Sequence, residues 1–154
     1  MDGGRISTLV VDTNIVFSTL LKKNSPLGSF LFQAGKKYEV KLIAPEFIRE
    51  ELSHHFTKAV QLTGLTETEC EIRLRAILDQ IEIIDEQVIP IKYFAQAAAL
   101  LREIDLNDVA FLATTIHYRA LLLTGDFALY RGLLGRGYTE VILFSELKAE
   151  LNIA

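Results

Sequence analysis

One cysteine in the whole chain, Cys70, leaves no partner for an intrachain disulfide. A reducing compartment is the natural reading. Its neighbours Thr68, Glu69 and Glu71 offer no cation to activate a thiolate, so Cys70 reads as structural. A long apolar run is also missing. Met1-Asp2-Gly3-Gly4-Arg5 precedes only a few apolar residues, too few for a signal-peptide core or a membrane span. These absences predict a cytoplasmic protein with no membrane association. Basic charge is short as well: 16 Lys and Arg face 20 Asp and Glu, a net charge of -4. A nucleic-acid binder that relies on a broad basic surface is usually positive. No Gly-rich turn follows the first apolar run, which excludes a dinucleotide-binding loop of the usual kind. His54 and His55 are adjacent rather than at helical spacing, so they read as surface histidines and not as a zinc pair.

What remains is an ordinary globular composition, half hydrophobic and 23% charged over 154 residues. That length predicts a single domain, residues 1–154, with a core that needs no covalent staples. Strand-like and helix-like segments alternate along it. Ile6 to Val11 is nearly all apolar and reads as a buried strand; Ile15 to Leu21 has helical character. Ser25 and Pro26 are suited to open a helix, which Gly35 should close. Val40 to Ala44 reads as a strand, Glu46 to Lys58 as a helix, and Leu62 to Leu65 as a loop. Thr66 and Glu69 make a capping-box pair. Ile81 to Ile84 follows as a strand, then helices through Leu101 and from Asp105 to Tyr118. Leu121 to Leu123 and Val141 to Phe144 are the last strands, with Ser145 capping a terminal helix. The alternation predicts an α/β fold with a central, mainly parallel sheet.

In such sheets the C-terminal strand ends share one edge, and ligands bind there. Asp12 and Asp126 follow strands directly and should meet at that edge. Asp108 falls in the first turn of a helix, with Asp105 as its competitor. Glu50 and Glu51 lie within the third helix. Each acid alone has a plain explanation: an N-cap, a dipole partner, a solvated face. Together they suggest more. Clustered carboxylates repel unless a cation joins them, and Mg²⁺ and Mn²⁺ prefer oxygen ligands.

The motifs Val11-Asp12-Thr13-Asn14, Pro45 to Leu52, Asp105 to Ala113 and Leu123-Thr124-Gly125-Asp126 resemble, in order and span, the four motifs of the PIN-domain family. The resemblance implies a three-layer α/β/α fold and a metal site of Asp12, Glu50, Asp108 and Asp126. Glu50 is suggested by its distance from Pro45. Glu51 is suggested by the apolar residue that follows it. Asn14 and Thr124 resemble the family's polar helpers. The resemblance further implies hydrolysis of RNA phosphodiester bonds with Mg²⁺ or Mn²⁺, leaving 5′-phosphate and 3′-hydroxyl ends. Small PIN proteins of the VapC-like kind are toxins of toxin–antitoxin pairs, so an antitoxin partner and a homodimer are also expected. Lys22, Lys23, Lys36, Lys37, Lys41 and Arg49 are candidate phosphate contacts, although an ordinary solvated face is the plainer reading.

Three other readings compete. A catalytically silent PIN-like module would bind RNA or protein only. A receiver-type signalling domain would need an acid after its middle strand, which Ile84-Asp85-Glu86 supplies only loosely, and a late Lys, of which no convincing candidate stands in the sequence. A haloacid-dehalogenase-type phosphohydrolase would need an Asp where Asn14 stands.

Overall fold

A computed structural model describes residues 5–153. The N-terminal residues read above for a leader lie outside them, except Arg5. Strand β1 (Thr8–Val11) leads into α1 (Thr13–Leu21) and α2 (Pro26–Tyr38). Strand β2 (Lys41–Pro45) is followed by α3 (Phe47–Thr63) and α4 (Glu67–Leu78). Then come β3 (Glu82–Ile84), α5 (Ile91–Leu101), α6 (Val109–Tyr118), β4 (Leu121–Leu123), α7 (Phe127–Gly135), β5 (Val141–Ile142) and α8 (Phe144–Leu151). Short 3-10 turns occupy Glu86–Val88 and Leu106–Asp108.

The five strands form one parallel sheet in the order β3-β2-β1-β4-β5. Leu9, Val10, Leu122 and Leu123 have no exposed surface, because β1 and β4 are central and covered on both faces. On one side α6 packs on β1, β2 and β4, with α5 laid along it. The other group centres on α1, which touches α2, α3 and α4, while α2 reaches β2. The result is three layers, α/β/α. A receiver-type domain has the strand order 2-1-3-4-5. The order found here removes that reading.

Local chemistry explains most element ends. The Ser25 side chain accepts the Gly28 N–H at 3.1 Å, with Pro26 at the first helical position. Thr66 and Glu69 form both hydrogen bonds of a capping box. Gly64, at φ 72°, closes α3 in the left-handed region that glycine tolerates best. Buried Thr19, Thr114 and Thr115 satisfy their hydroxyls on carbonyls one turn back, so they pack as apolar residues would.

Four expectations need correcting. The third helix runs on to Thr63, so Leu62 and Thr63 are helical rather than loop, and Gly64 stops it. Gly35 does not end α2, which continues to Tyr38 and stops with Glu39 in a left-handed conformation. Tyr38 packs against Phe30, ring centroids 5.7 Å apart, and this contact holds the extra turn. The last strand is only Val141–Ile142, and α8 begins at Phe144, so Ser145 lies inside the helix rather than capping it. The Leu143 N–H donates to the Glu146 carboxylate instead. The helix expected from Asp105 begins at Val109, because Asp105 caps the preceding 3-10 turn by accepting the Asn107 N–H at 2.9 Å.

Candidate active site

The strand order reverses between β1 and β4, and there neighbouring crossovers leave on opposite faces and open a crevice. Asp12 stands directly at the C-terminal end of β1. Its backbone N–H still bonds Leu123 O at 3.2 Å, so the ladder between β1 and β4 continues to the edge of the site. Thr124, fully buried one residue beyond β4, donates its hydroxyl to Asp12 Oδ2 at 2.7 Å. The same hydroxyl oxygen accepts the Asp126 N–H at 3.0 Å. Asn14 Oδ1 accepts the Gly125 N–H at 3.1 Å. Asn14 and Thr124 thus tie two chain segments more than a hundred residues apart into one rim.

A cleft of about 270 Å³ opens beside this rim, lined by Asp12, Thr13, Asn14, Phe17, Glu51, His55, Lys58 and Asp108. Asp12 and Asp108 are 5% and 9% exposed, which few carboxylates are without a partner. Burial pushes the Asp12 carboxyl up to about 6, against the lowering pull of the Thr124 hydroxyl, and nearby Glu51 adds to the rise. Burial likewise pushes Asp108 up to about 8, with further contributions from the charges of Asp12, Asp105, Glu51 and Asp126. The two aspartates therefore resist carrying full negative charge together.

Each acid named from the sequence has a definite place. Asp12 and Asp108 share the cleft. Asp126 stands at its flank, where its charge reaches Asp108, while its carboxylate caps α7 through the Leu129 N–H at 3.1 Å. Asp105 is exposed; its backbone carbonyl accepts the Asp108 N–H at 3.3 Å, and its charge also acts on Asp108. Glu50 is exposed and does not line the cleft, contrary to the expectation that favoured it. Glu51 does line it, held by the Thr13 hydroxyl at 2.5 Å. The reason is rotational: Ile48, Leu52 and Ala59 are the buried side of α3, Glu50 projects away from them, and Glu51 lies on their flank.

The expected phosphate contacts are elsewhere. Lys36 and Lys41 border a different hollow, and Lys41 pairs with Glu82 at 3.3 Å. Lys22 lines another beside Phe144, and Arg49 a third with α4. Lys23 and Lys37 lie over the rings of Phe32 and Tyr38. The basic residue that reaches the acidic cleft is Lys58, which the sequence alone does not set apart from the other lysines. Its only signal was its position, seven residues past Glu51 on the same helix. A larger hollow of about 700 Å³ lies among Ser7, Thr8, Ala120 and Leu121, at the opposite strand ends, and has Glu140 as its one carboxylate.

The PIN domain family matches residues 10–143, a span that contains every acid of this cleft. The chain belongs to the PIN-domain family. Two solved structures share the fold. VapBC2 from Rickettsia felis, bound to a DNA fragment from their promoter, is similar with a TM-score of 0.65 and 18% identity. The likeness covers 88% of this chain and 96% of that one. PAE2754 from Pyrobaculum aerophilum is similar with a TM-score of 0.67 and 15% identity, over 99% and 95% of the two chains. No curated protein matches the chain.

No three His, Cys, Asp or Glu side chains among the described residues converge closely enough to hold a metal ion as they stand. The donor chemistry nonetheless suits one. Asp12, Asp108 and Glu51 offer hard oxygen ligands, and two of them are buried where unneutralised charge is costly. No helix among the described residues is long and apolar enough to cross a membrane.

Proposed function

We propose that this PIN-domain protein is a Mg²⁺- or Mn²⁺-dependent endoribonuclease. The observation that carries the reading is the meeting of Asp12, Glu51 and Asp108 in one cleft at the switch point of the sheet, within a PIN-family chain. Asp12 and Asp108 would hold the ion, with Glu51 completing the set and Asp126 adding negative charge from the flank. When bound, such an ion lowers the pKa of a coordinated water and neutralises charge on the phosphate under attack.

The protein's own groups prepare the site. Thr124 fixes the Asp12 carboxylate through Oδ2, and Thr13 fixes Glu51. Asn14 holds the Gly125 backbone, so the loop that bears Asp126 keeps its distance from β1. Burial leaves Asp12 and Asp108 as neighbours that share their negative charge poorly, which favours a cation over bulk water between them.

The reading includes a biological role. We read the chain as a toxin that acts on RNA in the cytoplasm, forms a homodimer and is held by a small antitoxin; the likeness to VapBC2 bears on the antitoxin part of that reading. A gene for a small protein beside this one, whose product co-purifies with the chain and stops cleavage, is the expected finding.

The test is cleavage of a mixed RNA pool by wild type and Asp12→Asn, each with and without EDTA. Wild type should cut with Mn²⁺ or Mg²⁺ present and stop in EDTA, and Asp12→Asn should be silent. Cutting that survives both treatments sinks the metal mechanism. A second reading, a silent module that binds RNA or protein without cutting, is favoured by the unconverged carboxylates. Mn²⁺ titration separates the two: the nuclease should gain thermal stability with the ion, and the silent module should not.

A further inference from the structure

The side of α3 that carries Glu51 brings two more polar groups into the same cleft. At 3.6 residues per turn, positions 51, 55 and 58 fall within roughly 60° of one another around the helix. Glu51, His55 and Lys58 accordingly line the cleft together with Asp12 and Asp108. The His55 ring meets Phe17 of α1 edge-on, centroids 5.9 Å apart and planes at 64°, which fixes its place at the mouth. Lys58 is exposed and makes no ion pair with a described carboxylate.

The charges explain why such a wall is needed. Asp12, Glu51 and Asp108 repel a polyanion, and the chain as a whole carries -4. An RNA strand held here needs a positive group on the cleft itself, since charges beyond about 8 Å are largely screened at physiological salt. Lys58 is the cation in the cleft lining, and the other basic residues considered above line different hollows or lie over rings.

We propose that Lys58 and His55 are the substrate-phosphate contacts of this cleft. The Lys58 ammonium pairs with a phosphate of single-stranded RNA next to the bond to be cut, and a His55 ring N–H donates a hydrogen bond to the same strand. The inference rests on the nuclease reading and gives that site its substrate-binding wall.

The test measures binding apart from cutting. A fluorescein-labelled single-stranded RNA oligonucleotide is titrated by anisotropy across a NaCl series in EDTA, in an Asp12→Asn background. Lys58→Ala and Lys58→Gln should each reduce the slope of log K against log salt by about 0.7, the signature of one lost phosphate contact on a single strand. Lys58→Arg should keep it. His55→Ala should weaken binding with the slope unchanged. In the otherwise wild-type enzyme, Lys58→Ala should raise KM and leave kcat nearly unchanged. Neutral Lys58 variants that melt like wild type but keep slope, affinity and KM overturn the inference while leaving the nuclease intact. A wild-type protein that neither binds nor cuts RNA overturns the nuclease reading and this inference with it.

Discussion

Asp108→Asn should make the protein more stable at neutral pH when divalent ions are removed, although it deletes a group at the heart of the site. Burial and four neighbouring carboxylates raise the Asp108 carboxyl from 3.8 to about 8. A carboxyl whose pKa is raised on folding binds more protons in the folded chain than in the unfolded one. Its burden is absent below pH 3.8, grows as pH rises and is complete above about 8. At ~1.4 kcal/mol per pH unit, the interval from 3.8 to pH 7 gives a ceiling of about 4 kcal/mol, and to pH 5 a ceiling below about 2 kcal/mol. Asparagine preserves shape and carries no charge. It forfeits no capping bond, because the Asp108 side chain makes none at the start of α6. Relaxation and water entry lower the real penalty below this ceiling, so about half of it, ~2 kcal/mol, is the expected gain at pH 7. For a domain of this size that is a rise in Tm of about 4–8 °C. Calorimetry or urea unfolding in EDTA at pH 7 and pH 5 measures it, and the gain should shrink at the lower pH. A variant less stable than wild type at pH 7, or a gain equal at both pH values, refutes the electrostatic account of the site.

Three further outcomes follow from the same geometry. Mn²⁺ at a hundred times its dissociation constant should stabilise wild type by about 2.7 kcal/mol and should do nothing for Asp12→Asn, as read by thermal melts. Glu51→Gln should cripple RNA cleavage while Glu50→Gln leaves it within about twofold, since only Glu51 lines the cleft; equal effects contradict that placement. Thr124→Val removes a fully buried hydroxyl that serves both Asp12 and the Asp126 N–H, so unfolding free energy should drop by about 1–3 kcal/mol and cleavage should drop with it.

The fold was legible where local chemistry and burial agree. The apolar run ending at Asp12 had to be a buried strand, and Ser25-Pro26 and the Thr66–Glu69 pair had to open helices. It was illegible where tertiary contact decided. A Cβ at Gly35 would meet nothing within 4 Å, so the glycine is dispensable there and α2 runs on to the Tyr38–Phe30 contact. The site was legible in outline, because residues that end parallel strands share an edge. The choice between Glu50 and Glu51 turned on a single rotational step of α3, set by Ile48 and Leu52. Lys58 could not be singled out from 16 basic residues until that step was known.

The pairing of β1 with β4 brings Asp12 beside Thr124 across 112 positions of sequence. During synthesis Thr124 follows Asp12 by 112 residues. Until then Asp12 has no Thr124 hydroxyl to hold it and β1 lacks one neighbour, so one edge of the cleft is unsupported. Under the proposed nuclease reading, the β1–β4 pairing would delay assembly of the site until β4 has been made.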